Sequence, residues 1–438
     1  MTKRIVSLVF ALLFFAICLV PTIGLVITGG AKAGANEILA GKPSLQKRDG
    51  TPNGEYLSDL ADYINDRFYL RQEAVTAWAR LNASLLHTSA TEDVVLGRNG
   101  WLYFAPTLGD YTRTAPMTGR ELWCAARTLY LLQEYTESRG GTFLFTVAPN
   151  KNSLYTAAMP EYPVANQLPN AEALRVYLAE VGVNYLDLFA VFENEDEVLY
   201  FPTDSHWNGK GAALAADAIL RSLGREGRWF AGPFAQSTHM GDLYEMLYPA
   251  GMGMDADFVY APGFTFTANS SNPDNARITA EGPGEGTLRM YRDSFGRNLY
   301  PYLAESFALA EFSRKTNYDP TDLPEGGALV IELVERNLRY LNVYAPVLPA
   351  PERDGTQIRG AAPRGELAVS IRDGALSGSF GELKPDDTSP VYVSRGGRVY
   401  EAVPQPEGFT ALLPEGANDF EVIFTSQGEL VSLRGVME

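Results

Sequence analysis

Residues 286–303, GTLRMYRDSFGRNLYPYL, read as an apolar β-strand over 286–291, a polar turn carrying Asp293-Ser294, and the start of a helix. The stretch 199–212, LYFPTDSHWNGKGA, has the same form. It predicts a short strand at Leu199–Phe201, a turn bearing Asp204-Ser205-His206, and a helix from Gly211 to Leu223 stopped by Gly224. Working outward, TFLFTV (142–147) is a buried strand, Asn184–Leu188 another, and Leu329–Val334 the last apolar strand of this region. Thr118-Gly119-Arg120-Glu121 is a capping box opening a helix to about Ser138, and Asn170 is expected to cap one that ends at Val181. Val94–Leu96 and Trp101–Phe104 flank a turn as a hairpin. Strands interleaved with helices predict an α/β layer fold with a mostly parallel sheet.

The flanks differ in texture. Ile5–Thr28 is uncharged and long enough to cross a hydrocarbon core of about 30 Å. Lys3 and Arg4 precede it, so positive-inside bias predicts a single-pass anchor with a cytoplasmic N-terminus and an extracytoplasmic body. The rival reading is a signal peptide cut near Ala31-Lys32-Ala33, but the apolar run exceeds the roughly 7–15 residues of a signal h-region. Residues 29–88 read as a tether followed by a helical lead-in over 56–86 packed on the main domain, which is expected to occupy 89–345. Residues 346–362 read as a linker, and 363–438 as a small all-β, sandwich-like module of short alternating runs.

Of 438 residues, 46% are hydrophobic and 20% charged, which excludes wholesale disorder. Lys and Arg number 36 against 53 Asp and Glu, a net charge of −17; without Lys3 and Arg4 the body carries −19. Such a surface repels phosphate backbones, so nucleic acid is not an expected partner. Cys18 falls in the apolar segment and Cys124 in a helix, where it reads as a buried thiol. Two cysteines and three histidines supply no cage of metal-ligand spacing, so neither a metal site nor a cofactor is expected.

The chemistry concentrates in the two turns. An Asp and a His two apart on an extended segment lie on one side, so the carboxylate of Asp204 can fix the imidazole tautomer of His206. A serine between strand and helix places its backbone N–H where an oxyanion develops. Each signal alone is weak: Asp-x-His is usually structural, and Asp-Ser is more often a helix cap.

Four stretches together carry a resemblance: GRNGWLYF (97–104), VAPNKNSLY (147–155), YFPTDSHWNGKGA (200–212) and YRDSFGRNLYPYL (291–303). They resemble the SGNH-hydrolase-like domain of the bacterial, membrane-anchored alginate O-acetyltransferase accessory family. The resemblance implies a three-layer α/β/α domain and a triad of Ser294, His206 and Asp204, with Asp-x-His preceding the serine. It implies acetyl transfer to an extracytoplasmic polysaccharide, with a membrane-bound O-acyltransferase partner supplying the acetyl group. Arg292 departs from the pattern, standing where a glycine often precedes Asp-Ser, and is a candidate substrate contact. Asn150 is a candidate oxyanion donor and Lys151 a candidate for an anionic sugar, each weighed against an ordinary loop role. Trp101 and Trp207 offer stacking faces, although buried packing is the commoner fate. Tyr392, Tyr400 and Phe409 raise sugar binding by the β-module, with a structural role favoured. The alternatives are an acetyl esterase with the same triad and a non-enzymatic glycan-binding scaffold.

Overall fold

The computed structural model describes residues 2–34, 37–416 and 419–437; the side chains of Lys3, which bears on the expected orientation, and of Cys18 lie outside that description. Thr2–Thr28 is one helix, and its Arg4–Thr28 portion is long and apolar enough to cross a membrane. The expected single lead-in helix is instead two, Tyr56–Arg67 and Arg71–Leu81, broken where Leu70 takes a left-handed φ of 65°. The first buries none of its residues and is held by the tether: Ala40 N–H donates to Asp66, and Arg67 donates to the Ala40 carbonyl. Only the second packs on the body, where Ala79 meets Val94, Leu102, Leu243 and Leu247.

The strands of the body are β1 (Val94–Leu96), β2 (Leu102–Phe104), β3 (Thr142–Ala148), β4 (Tyr185–Leu186), β5 (Phe234–His239), β6 (Asp255–Tyr260), β7 (Thr267–Ala268), β8 (Arg277–Glu281), β9 (Thr287–Tyr291), β10 (Leu309–Ser313) and β11 (Ala328–Val334). The main sheet runs β4-β3-β11-β9-β10-β8-β7. Its first five strands are parallel and the last two pairings antiparallel, so the sheet is mixed. Period-two alternation sends Leu144, Met290 and Val330 toward helices Gly209–Ser222 and Gly296–Ser306. Phe145, Leu329 and Ile331 point the other way, toward Gly119–Ser138 and Asn170–Val181. Helices on both faces are what a parallel sheet needs to bury both sides.

Thr118 and Glu121 form the expected capping box. Asn170, by contrast, is the first residue of its helix, and its side chain accepts from Met117 N–H and donates to Asp110. The segment 199–201 is not a sheet strand; Tyr200 makes one isolated bridge to Trp207. Cys124 is a buried free thiol.

Nine strands between Glu352 and Met437 form a single sheet around a core that includes Leu367, Phe409, Val422 and Phe424. Within 346–362, Glu352–Arg353 pairs with Val399–Tyr400 in this sheet. Buried Glu401 accepts from Arg127 at 2.6 Å and Arg353 at 2.8 Å, joining the strand-rich region to helix Gly119–Ser138. Tyr392, Tyr400 and Phe409 are buried, so none of them offers a face to a glycan.

Candidate active site

Asp204 sits in a loop closed on itself by Phe201 N–H to the His206 carbonyl, and Asn208 N–H to the Leu199 carbonyl. Its Oδ1 accepts the backbone N–H of His206 at 2.8 Å, the local turn that Asp favours two residues ahead. The same oxygen lies 2.7 Å from His206 Nδ1, which fixes the imidazole with its proton on that nitrogen. His206 Nε2 is buried and has no hydrogen-bond partner in the protein.

The β5–β6 hairpin and the helical turn between its strands complete this loop. His239, at the end of β5, places Nε2 2.7 Å from Asp204 Oδ2, and Asp242 N–H donates to the same oxygen at 2.9 Å. Thr203 donates its N–H and hydroxyl to Asp255, and Ser205 donates both of its groups to Asp242. Gly241 permits this approach, since a Cβ there would lie 2.1 Å from the Thr203 carbonyl oxygen. Burial works to raise the Asp204 carboxyl, but the charge and hydrogen bonds of His206, with the bonds from His239 and Asp242, hold it well below the carboxylate range. Asp242 moves the opposite way, raised by burial and by the like charge of Asp204. For His239, burial favours the neutral ring, yet its bond to Asp204 and the charge of that carboxylate raise it overall.

Ser294 stands half-buried at the end of β9. Its turn is set by Asp293, whose Oδ1 accepts Phe295 N–H at 2.9 Å. The other oxygen accepts Val334 N–H at 2.7 Å and the Asn337 amide at 2.8 Å, tying the turn to the end of β11. The serine and histidine segments are joined through Phe295. Its ring lies 4.8 Å from the His206 ring, and its carbonyl accepts the Trp207 indole N–H at 3.1 Å. No hydrogen bond joins Ser294 to His206, a looseness common in sites without substrate.

The remaining sequence candidates fall elsewhere. Arg292 is buried beneath the turn and donates to the carbonyls of Asp293, Pro273 and Asn275, so the expectation that it contacts substrate gives way to a structural role. The glycine that matters follows the serine: a Cβ at Gly296 would meet Arg292 Cδ at 2.4 Å. Lys151 is likewise buried, with Nζ on the carbonyls of Phe201, Pro202 and Asp204 at 3.0, 2.9 and 2.5 Å. It braces the Asp204 loop and has no hydrogen left for a sugar. Burial brings its amine down to about 7. Asn150 is buried after β3, with its amide toward Asp110 at 3.5 Å and its backbone N–H on Glu335. Trp207 is fully buried, and Trp101 packs on Tyr155.

Sequence reasoning missed His239, Asp242 and Arg336. The guanidinium of Arg336 lies 5.5 Å over the Phe295 ring, beside Ser294. The one signal for the first two was the His-x-x-Asp spacing in a chain with three histidines. Asp204, His206 and Asp242 also bring ligand-type atoms within 4.8 Å of one another. Their oxygens already accept N–H and O–H donors, which accounts for the cluster without a cation.

Residues 94–260 match the model of the SGNH hydrolase-like domain of the acetyltransferase AlgX. Together with the layered sheet, this defines an SGNH hydrolase-like α/β domain. Over this segment the chain is similar to the alginate O-acetyltransferase accessory proteins. The matched segment includes Asp204, His206 and His239 and stops before Ser294. The probable alginate O-acetylase AlgJ of Pseudomonas putida is 23% identical over 197 residues, 43% of this chain and 49% of that protein. The chain thus spans about half the length of this relative. Similar solved structures include Bacillus cereus PatB1 with a sulfonyl adduct, at TM-score 0.43 and 15% identity over 56% of this chain and 98% of that one. The O-acetyltransferase domain of P. putida AlgJ has TM-score 0.38 and 17% identity over 56% and 92%.

Proposed function

We propose that the chain is an extracytoplasmic O-acetyltransferase that loads acetyl on Ser294 and passes it to a polysaccharide hydroxyl. The observation that carries this reading is the Asp204–His206 pair at 2.7 Å, whose outer nitrogen is buried, unpartnered and adjacent to the Ser294 turn. In the first step His206 Nε2 takes the Ser294 hydroxyl proton as Oγ attacks the acetyl carbonyl, and the donor's leaving group departs with that proton. In the second, His206 takes the proton of an acceptor hydroxyl, which attacks acetyl-Ser294. The ester bond to Ser294 breaks, and His206 returns the proton to Oγ. Asp204 stabilises the imidazolium in both steps, and the Ser294 N–H faces the oxyanion. The apolar N-terminal helix supports membrane anchoring with the body outside, near a membrane-bound O-acyltransferase that supplies acetyl.

The test uses the full chain in detergent with an activated acetyl ester. Wild type should acquire acetyl on the Ser294 peptide by mass spectrometry and yield acetylated oligosaccharide when acceptor is present. Ser294→Ala and His206→Ala should lose both, to similar degrees. Near-normal turnover in Ser294→Ala refutes the triad. Free acetate unaffected by acceptor, with no acetylated product, makes the protein an esterase.

A further inference from the structure

We propose that the segment Phe68–Leu86 is a membrane-interface element, seated in the extracytoplasmic leaflet with Trp78, Leu81 and Leu85 in lipid. The proposal rests on the membrane-anchor part of the reading above and is independent of the acetyl chemistry.

The joint between the apolar helix and the body sets the depth. Tyr69 N–H donates to the Pro21 carbonyl at 3.1 Å, and Ala31 N–H donates to the Arg67 carbonyl at 3.0 Å. Tyr69 lies so close to the apolar helix that a Cβ at Gly24 would fall 2.3 Å from its own. A Cβ at Gly30 would likewise meet the Arg67 carbonyl oxygen at 2.1 Å. Gln72 donates to the Lys32 carbonyl at 2.9 Å and Arg71 pairs with Glu37 at 2.7 Å, so the chain leaving the apolar helix is held along the start of the helix Arg71–Leu81. At roughly 1.5 Å per residue, Pro21 lies about 10 Å inside the end of the apolar helix at Thr28. With that helix spanning the bilayer, Phe68-Tyr69-Leu70 enters at the edge of the hydrocarbon, the level that aromatic side chains favour.

From this joint the helix Arg71–Leu81 and the wider turn Asn82–Leu86 present two sides. Thr76 and Ala79 are buried toward the body. Trp78, Leu81 and Leu85, spaced by three and four residues, form a second stripe that is 58%, 47% and 68% exposed. A stripe of Trp and Leu next to a bilayer-spanning helix is stabilised by leaving water for the acyl boundary. The charges do not oppose this seat. At about 100° per residue, Glu73 and Arg80 fall on the side of the helix away from Trp78. Asp59, Asp62 and Asp66 belong to the preceding helix Tyr56–Arg67, where Asp59 accepts from the Asn53 amide and Asp66 from Ala40 N–H.

The same element reaches the active site. Ala79 packs with Leu243 and Leu247, and Asp242, the first residue of that short helix, donates its N–H to Asp204 at 2.9 Å. An element seated in lipid therefore fixes the height of the Asp204–His206 loop above the leaflet.

Trp78 is its own reporter. The full chain is reconstituted in phosphatidylcholine vesicles with and without lipid brominated in the upper acyl chain, and the Trp78 share of the emission is wild type minus Trp78→Phe. Brominated lipid should quench that share about twofold or more, with weak quenching by aqueous acrylamide. Leu81→Glu with Leu85→Glu, both at exposed positions, should halve the lipid quenching and strengthen acrylamide quenching about threefold. Lipid quenching should persist when chains are diluted until most vesicles hold a single one; its loss on dilution assigns the stripe to a second copy and overturns the proposal. Acrylamide quenching without lipid quenching, or a double variant that behaves as wild type, also overturns it. An alkaline carbonate wash separates this inference from the anchor reading. If the chain stays with the vesicles while Trp78 meets only water, the interface alone falls. If the wash releases the chain, the anchor reading falls and takes the interface with it.

Discussion

Replacing Asp204 by asparagine separates the two edges of the carboxylate. Oδ1 receives the His206 N–H and Nδ1, and Oδ2 receives His239 Nε2 and the Asp242 N–H. Whichever way the amide turns, its NH2 faces two donors. His239 can relieve one conflict by moving its proton to Nδ1, but the Asp242 backbone N–H cannot. The carbonyl therefore turns to His206, and one buried donor is left unmatched at a cost of about 1–3 kcal/mol. Loss of the charge opposite His206 removes the stabilisation of its protonated form during turnover. A fall of about three to four orders of magnitude in kcat is expected, as for a triad whose aspartate becomes an amide. Acetyl-ester turnover with the detergent-solubilised full chain, alongside urea denaturation, measures both quantities. Turnover within tenfold of wild type would show that Asp204 does not orient the base, and the argument would fail. His239→Leu and His239→Gln extend the test to a positioning role. Leucine removes a donor from Asp204, so the acid limb of the rate profile should move to higher pH. Glutamine restores the donor and should restore the limb, whereas a merely structural role would change stability and leave the profile in place.

Burial raises Glu335 to about 7 from its ordinary 4.5, so the folded chain keeps a proton that the unfolded chain has lost. Stability should therefore fall as pH rises from 4.5 to about 7 and level off above, by on the order of 3 kcal/mol, and Glu335→Gln should flatten that slope in pH-dependent unfolding. His239, raised above its ordinary 6.5, and Asp204, held below 3.8, act at opposite ends. The contribution of His239 is full below pH 6.5 and is lost as pH rises through its raised value; that of Asp204 is full above 3.8 and is lost as pH falls through its lowered value. Lys151→Met should orphan three carbonyls of the Asp204 loop, costing about 2–4 kcal/mol in denaturant titrations and lowering kcat. Glu401→Ala leaves Arg127 and Arg353 without their buried partner; a loss of about 3–5 kcal/mol in denaturant titrations is expected, with the acetylation of Ser294 retained at low temperature.

Several features were legible because their cause is local. Asp204 and His206 are two apart, and the carboxylate that orients the ring also binds the intervening turn, so the pair needs no distant residue to form. The strand, turn and helix around Ser294 follow from apolar alternation and from Asp293 folding back on Phe295 N–H. Thr118 and Glu121 cap each other within one turn of helix. The lead-in helix and Asn170 mark the limit: periodicity does not show the left-handed Leu70, and a capping residue type was claimed by Asp110 and Met117 instead. Cations were the hardest to place. Lys151 and Arg292 look identical in sequence to substrate-facing residues, because whether a charge meets solvent or a shell of carbonyls depends on chain segments far from it. His239 and Asp242 reach Asp204 across 35 and 38 residues through the β5–β6 hairpin. The sequence by itself determined the pair, the serine turn and the alternation of layers, since these arise from neighbours along the chain. Only the tertiary structure decided which charges are buried and what braces the loop, because those depend on how separate segments exclude water from one another.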